Sequence, residues 1–131
     1  KVDKISNQLS EKEQEYVERI IGRPMNVDAK QWINFSRITF VHKIQKERLT
    51  MDVNLTFENA NEKGDMKHIV IAEVKQERMS RSSDFMRIAK EMHILPIRIS
   101  KYCMSTLKLD PELKKNRFKE KVLFINKLKQ A

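Results

Sequence analysis

At 131 residues the chain is long enough for one domain and too short for a second full one. With 40% hydrophobic and 34% charged residues it is too apolar to stay disordered and too charged to live inside a membrane. No run approaches the roughly 20 apolar residues of a spanning helix, and the N-terminus lacks the apolar core of a signal peptide, so the expected setting is cytoplasmic.

The single Cys103 excludes an intrachain disulfide and a cysteine-based zinc site, and His42, His68 and His93 lack close ligand spacing. The formal net charge is +9, and residues 95 to 131 hold ten of the 27 Lys and Arg against three of the 18 Asp and Glu. That imbalance makes a polyanionic partner plausible, whether nucleic acid, phosphate ester or acidic membrane, while composition alone favours a solvated helix face.

In chain order, Ser10 and Glu13 have capping-box spacing, and Tyr16, Val17, Ile20 and Ile21 recur at helical intervals until Gly22 and Pro24. This predicts a helix over 10–22 with its apolar stripe in the core. Residues 32–44 favour a strand with Arg37 and Thr39 on one face and Ile38 and Phe40 on the other. Strict alternation over 48–57 predicts a second strand, with Leu49, Met51, Val53, Leu55 and Phe57 on a packed face and Arg48, Thr50, Asp52, Asn54 and Thr56 on a polar one. Residues 58–67, rich in Asn, Glu, Lys and Gly, read as a hairpin loop. The run Ile69-Val70-Ile71-Ala72 then predicts a strand buried on both faces, ending with Glu73 and Lys75 on one side.

A helix capped by Ser82 or Ser83 is expected to reach about Met92, with Phe85, Ile88, Ala89 and Met92 inward. Residues 96–99 read as a short strand. Ser100 caps a helix ending near Asp110-Pro111, and Phe118, Val122, Ile125 and Leu128 define a last helix flanked by lysines. The whole is a single α+β domain with a mainly antiparallel sheet flanked by helices.

Two carboxylates and a lysine on neighbouring strands, Asp52 and Glu73-x-Lys75, fit a metal-dependent nuclease, in which the carboxylates hold a divalent cation for phosphodiester cleavage. The element order of a restriction-endonuclease-like core is compatible with this. The surrounding cations fit something else. Arg37, Arg48, Lys75, Arg98 and Lys101 are more than one scissile phosphate needs, and several Arg and Lys converging from neighbouring elements suit a ligand with several phosphates. A single Glu among them could hold a bridging divalent ion.

Four segments make a resemblance specific: Phe35-Ser36-Arg37-Ile38-Thr39-Phe40; Arg48-Leu49-Thr50-Met51-Asp52-Val53-Asn54-Leu55; Ala72-Glu73-Val74-Lys75; and Ser100-Lys101-Tyr102-Cys103 followed by Asn116-Arg117-Phe118-Lys119. In this order they resemble the C-terminal part of a VTC domain, the catalytic domain of polyphosphate polymerases, in its bacterial form. The match runs over about residues 30 to 128. The first segment has Phe35 where the family usually has Tyr, and Arg98 stands where Lys is common.

The resemblance implies a triphosphate tunnel, an antiparallel β-barrel with inward Arg and Lys, in which the γ-phosphate of ATP is transferred to polyphosphate. It implies phosphate binding by Arg37, Arg48, Lys75, Arg98 and Lys101, and a Mn²⁺ or Mg²⁺ ion on Glu73. Asp52 belongs to the motif, with pairing to an inward Arg and metal binding both open. No specific nucleic acid partner and no membrane span are expected. Residues 1–29 read as a leading helix and loop and 30–131 as tunnel strands and C-terminal helices. The other tunnel strands would lie outside this chain, which is then expected to be inactive alone. Binding without catalysis stays open, as does pairing with a second copy or with the missing N-terminal half.

Overall fold

The computed structural model describes residues 6–78 and 83–129. Helix α1 (Glu11–Ile21) starts where the capping box places it: the Glu13 carboxylate accepts from both the backbone N–H and the hydroxyl of Ser10 at 2.8 Å. Gly22 ends it at φ +75°, the left-handed conformation that a residue without Cβ adopts freely, and its N–H reaches the Glu18 carbonyl. The apolar stripe, expected in the core, is not buried: Tyr16 and Ile20 are more than half exposed.

Four antiparallel strands follow: β1 (Trp32–Val41), β2 (Glu47–Glu58), β3 (Lys63–Asp65) and β4 (Ile71–Gln76). The long β2 is the centre. Strand β1 lies along one side of it, while β4 pairs with its first half and β3 with its last three residues on the other side. The sheet is open among the described residues, with β1 and β4 each paired on one side only. The segment expected to be loop over 58–67 thus contains a short strand, and the loop proper is a tight turn in which the Asn59 side chain accepts from the N–H groups of Asn61 and Glu62.

One irregularity controls the sheet. The register of β1 against β2 jumps between Asn34↔Thr56 and Ser36↔Val53, so Asn54 and Leu55 together face Phe35. Asn54 sits at φ +56°, the left-handed conformation of the first residue of a G1-type bulge. The extra residue reverses the alternation. Arg48, Thr50 and Asp52 before the bulge share a face with Leu55 and Phe57 after it, whereas strict alternation assigns these two groups to opposite faces.

The face expected to pack is therefore not the one that does. Thr50, Asp52, Leu55 and Phe57 are buried, while Ile38 and Phe40, on the face with Leu49 and Met51, are about half exposed. The run 69–72 is also corrected. Only Ile69 is buried and Val70 is largely exposed, because β4 begins at Ile71 and lies at the outer edge of the sheet.

Helix α2 (Asp84–Glu91) is capped by Ser83, whose hydroxyl accepts from the Met86 N–H. The alternative cap, Ser82, lies outside the described residues. Ala89 is buried as expected; Ile88 and Met92 are not. Residues 96–99 form no strand: Pro96 has no N–H to give a ladder, and the segment pairs with no described strand. Helix α3 (Lys101–Leu109) and, after a single 3-10 turn at Asn116–Phe118, helix α4 (Lys119–Leu128) complete the chain.

The core lies under the second half of β2. Leu55, Phe57, Met66 and Ile69 meet Met104, Leu107 and Leu109 of α3 and Ile125 of α4, with Ile33, Phe118 and Val122 packed around them. Leu128, expected inward, is 43% exposed. Gly64 faces Phe57 across the ladder, and a Cβ there would come within 2.6 Å of the ring, so the glycine gives the ring its place.

If the bulge needs a left-handed residue, Asn54→Gly should leave stability within a few tenths of a kcal/mol, whereas Asn54→Val should cost about 1–2 kcal/mol. Urea unfolding of the two variants measures the difference; equal stability would mean that the left-handed backbone at this position does not matter.

Candidate anion-binding site

Cross-strand register sets out three rows on the face that begins at the bulge. Arg37, Asp52 and Ile71 form one, Thr39, Thr50 and Glu73 the next, and Val41, Arg48 and Lys75 the third. Directly opposed residues project to the same side of a sheet, so cations and carboxylates from β1, β2 and β4 converge. Helix α3 adds Lys101 from its first residue.

At the centre is Asp52, 2% exposed. Arg37 donates to it through two nitrogens, Nε to Oδ1 at 2.6 Å and Nη2 to Oδ2 at 2.8 Å. Lys101 Nζ lies 2.7 Å from Oδ2. A carboxylate buried alone would be costly; here both oxygens are bound by charged donors. The hydrogen bonds from Arg37, joined by those from Lys101, hold the Asp52 carboxyl down at about 2 against the desolvation that opposes them. The same pairing raises Arg37, with Glu73 adding a smaller share.

Two further contacts fix this cluster. The Phe35 ring lies 5.1 Å from both the Arg37 guanidinium carbon and Lys101 Nζ, within cation–π range of each. Gln31, just before β1, donates to the buried Ser105 hydroxyl at 2.8 Å and accepts from the Thr106 hydroxyl, tying α3 to the strand that carries Phe35 and Arg37. The Ser100 cap starts α3 at this point, by accepting from the Cys103 N–H. A lysine in the first helical turn opposes the helix dipole, and Asp52 offsets that cost. The helix N-terminus adds its own positive potential to the face.

The remaining groups are more open. Lys75 Nζ is 3.4 Å from Glu73 Oε1, with the two side chains 59% and 49% exposed. Such a pair contributes little stability and is free to rearrange around a ligand. Arg48 is exposed and makes no side-chain bond with another described residue. With Lys75 it lines a hollow of about 480 Å³ that also includes Val41, Lys46 and Glu47.

Of the residues expected in the site, Arg37, Arg48, Lys75, Lys101, Glu73 and Asp52 share this face. Arg98 makes no bond to any of them. It is exposed in the irregular run before α3 and makes no side-chain bond with a described residue. Sequence reasoning missed the role of Phe35, although its separation of two residues from Arg37 on one strand was a usable signal. No three His, Cys, Asp or Glu cluster among the described residues in a way that could hold a metal ion. Glu73 is an open carboxylate on the face, and the exposed Glu77, paired with Lys46, lines the hollow beside Arg48 and Lys75.

A family model described as VTC domain matches residues 1–110. The chain belongs to the VTC domain family. Membership is consistent with a polyphosphate-related function, and the family's match takes in the three strand segments of the site and Lys101. It also covers α1 and the loop after it, and it stops before the 116–119 segment. No curated protein and no solved structure matches this VTC domain. No helix among its described residues is long and apolar enough to cross a membrane.

The depressed Asp52 carboxyl makes stability depend on pH. Its folded value, about 2, lies below the ordinary 3.8, so the stabilisation is complete above about pH 4 and is lost as pH falls toward 2. The amount is about 1–2 kcal/mol after allowance for the open side of Arg37. The stability gap between wild type and Asp52→Asn should narrow over that interval in denaturant titrations; a gap that stays constant would mean the ion pair is not formed.

Proposed function

We propose that this face is one wall of a site for triphosphate and polyphosphate, in a cytoplasmic phosphotransferase that moves the γ-phosphate of ATP onto a polyphosphate chain. The observation that carries this reading is the convergence of Arg37, Arg48, Lys75 and Lys101 on one sheet face with an open carboxylate, Glu73, among them. Four cations in successive rows suit a chain of phosphates, whereas a single phosphate would use one or two.

The reaction needs no protein nucleophile. An oxygen of the terminal phosphate of the chain attacks Pγ of ATP, the bond from Pγ to the β,γ-bridging oxygen breaks, and ADP leaves. The contribution of the protein is alignment and neutralisation of charge on the equatorial oxygens. Arg37 and Lys101 hold the phosphates nearest Asp52, and Arg48 and Lys75, at the far side of the Thr39–Glu73 row, hold those further along the chain. Glu73 would be the protein ligand of a Mn²⁺ or Mg²⁺ ion that shares the phosphate oxygens and draws off charge, as such ions do when one carboxylate and substrate phosphates bind them. Arg98, exposed just before α3, would add a further cation for the phosphates.

The open edges of β1 and β4 support a second element of the proposal, that a complete tunnel needs strands beyond these. This chain would then be the C-terminal portion of a bacterial-type catalytic domain, completed by an N-terminal half or by a second copy. Binding of triphosphate without catalysis is the alternative for the chain alone. The nuclease reading is weakened because Asp52, its second carboxylate, has both oxygens occupied by Arg37 and Lys101.

Calorimetric titration with inorganic triphosphate and Mn²⁺ tests the site: Arg48→Ala combined with Glu73→Ala should weaken binding at least ~10-fold, and unchanged binding would refute the assignment. For the reaction, the full-length protein with ATP and Mn²⁺ should yield a polyphosphate ladder on a gel. Free phosphate without polymer would mean triphosphate hydrolysis instead.

A further inference from the structure

The proposed phosphate site contains a residue whose charge is wrong for it. Asp52 is anionic at every physiological pH, stands at the centre of the cations and reduces their net charge. A second carboxylate for a metal would have to be reachable, and Asp52 is 2% exposed with both oxygens accepting from Arg37 or Lys101.

The geometry offers a different reason. An arginine has five N–H donors in one plane. Asp52 takes the edge formed by Nε and Nη2, leaving three N–H groups on Nη1 and Nη2. In a planar guanidinium these lie on the edge turned away from the carboxylate, in the arrangement that receives two phosphate oxygens. Lys101 gives one of its three N–H donors to Asp52 and keeps two. Both cations are held by one carboxylate and touched by one ring, that of Phe35, which removes most of their rotational freedom before any ligand arrives. Arg37, 42% exposed, still reaches solvent, whereas the carboxylate does not.

We infer that Asp52 is the positioning residue of the site: it fixes Arg37 and Lys101 side by side with their unused donors outward, and it aids anion binding through geometry although its charge opposes it. The inference rests on the phosphate-binding reading above and adds to it. Asp52 touches the two cations and not the phosphate, so it acts through them.

Charge and geometry predict opposite signs, which makes the test decisive. Asp52→Asn keeps the size of the side chain and removes one negative charge. If Asp52 acts only as a charge, or only in folding, the folded variant binds inorganic triphosphate as well as wild type or more tightly. If it positions the cations, affinity falls ~10- to 100-fold despite the gain in positive charge.

The measurement is a titration of the chain with inorganic triphosphate, first with chelator and then with Mn²⁺, on protein shown to be folded by circular dichroism. The loss should be the same in both conditions; a loss confined to Mn²⁺ would make Asp52 a metal ligand and overturn the inference. The ¹⁵N signal of the Arg37 Nε–H should be protected from exchange in wild type and lost in the variant, which needs no ligand to be seen.

Arg37→Lys gives a second arm that stands if Asp52→Asn does not fold. It keeps the charge beside Asp52 and loses the outward fork, so affinity should drop about 10-fold, and an unchanged value would overturn the inference. Wild type that binds no triphosphate would remove the phosphate site itself and the inference with it. Wild-type binding with unaffected Asp52→Asn and Arg37→Lys would remove only the role of Asp52.

Discussion

The structure depends on the one extra residue that β2 carries at Asn54. A strand alternates its side chains strictly, and in β2 Arg48, Thr50 and Asp52 stand at even positions and Leu55 and Phe57 at odd ones, so bringing both groups to one face needs a change of phase between them. The left-handed conformation of Asn54 supplies it. Leu55 and Phe57 enter the core with α3 and α4, and three residues earlier Asp52 enters the ionic cluster on the same side. The cluster is thus built directly against the packed end of the sheet, and its central carboxylate is excluded from water.

That adjacency explains how a lysine at the start of α3 reaches a strand residue far earlier in the chain. The helix is anchored to the core by Met104, Leu107 and Leu109, and to the strand side by the Gln31 contacts with Ser105 and Thr106. The nearest of these anchors lie within the first turns after Lys101, so its amine has little freedom except to meet Asp52. The outer rows have no such support. Glu73 and Lys75 are exposed and loosely paired, and Arg48 is exposed with no bond to a described residue, as groups that exchange partners with a ligand would be. The site therefore has a rigid end and an adaptable end, a division that follows from where the core stops.

The opposite face of the sheet has the reverse character. Ile38, Met51 and Ala72 make one row across it and Phe40, Leu49 and Val74 another. Ile38 and Phe40 are about half exposed, and β1 and β4 have open outer edges among the described residues. Family membership and the charged face agree with each other; the open sheet is the point at which the observed fold and a closed tunnel differ.

The sequence by itself determined the helix starts at Ser10 and Ser100 and narrowed the other to Ser82 or Ser83, and it determined the two long strands and a set of charged residues of which Arg37, Arg48, Asp52, Glu73, Lys75 and Lys101 share one face. These are local matters of capping, of period and of residue type, and the four motif segments carried the family as well. It did not determine which face of β2 packs, because one Asn in a left-handed turn of backbone is invisible to a periodicity count and reverses everything beyond it. The same limit applied to the stretches around Ile69 and Pro96, where burial and pairing depend on which neighbours arrive. The role of Asp52 was open between metal and arginine for a like reason. Only the tertiary structure shows the pairing, since Arg37 and Lys101 reach that carboxylate from two separate elements, and their contact with both oxygens is a fact of packing that no spacing along the chain encodes.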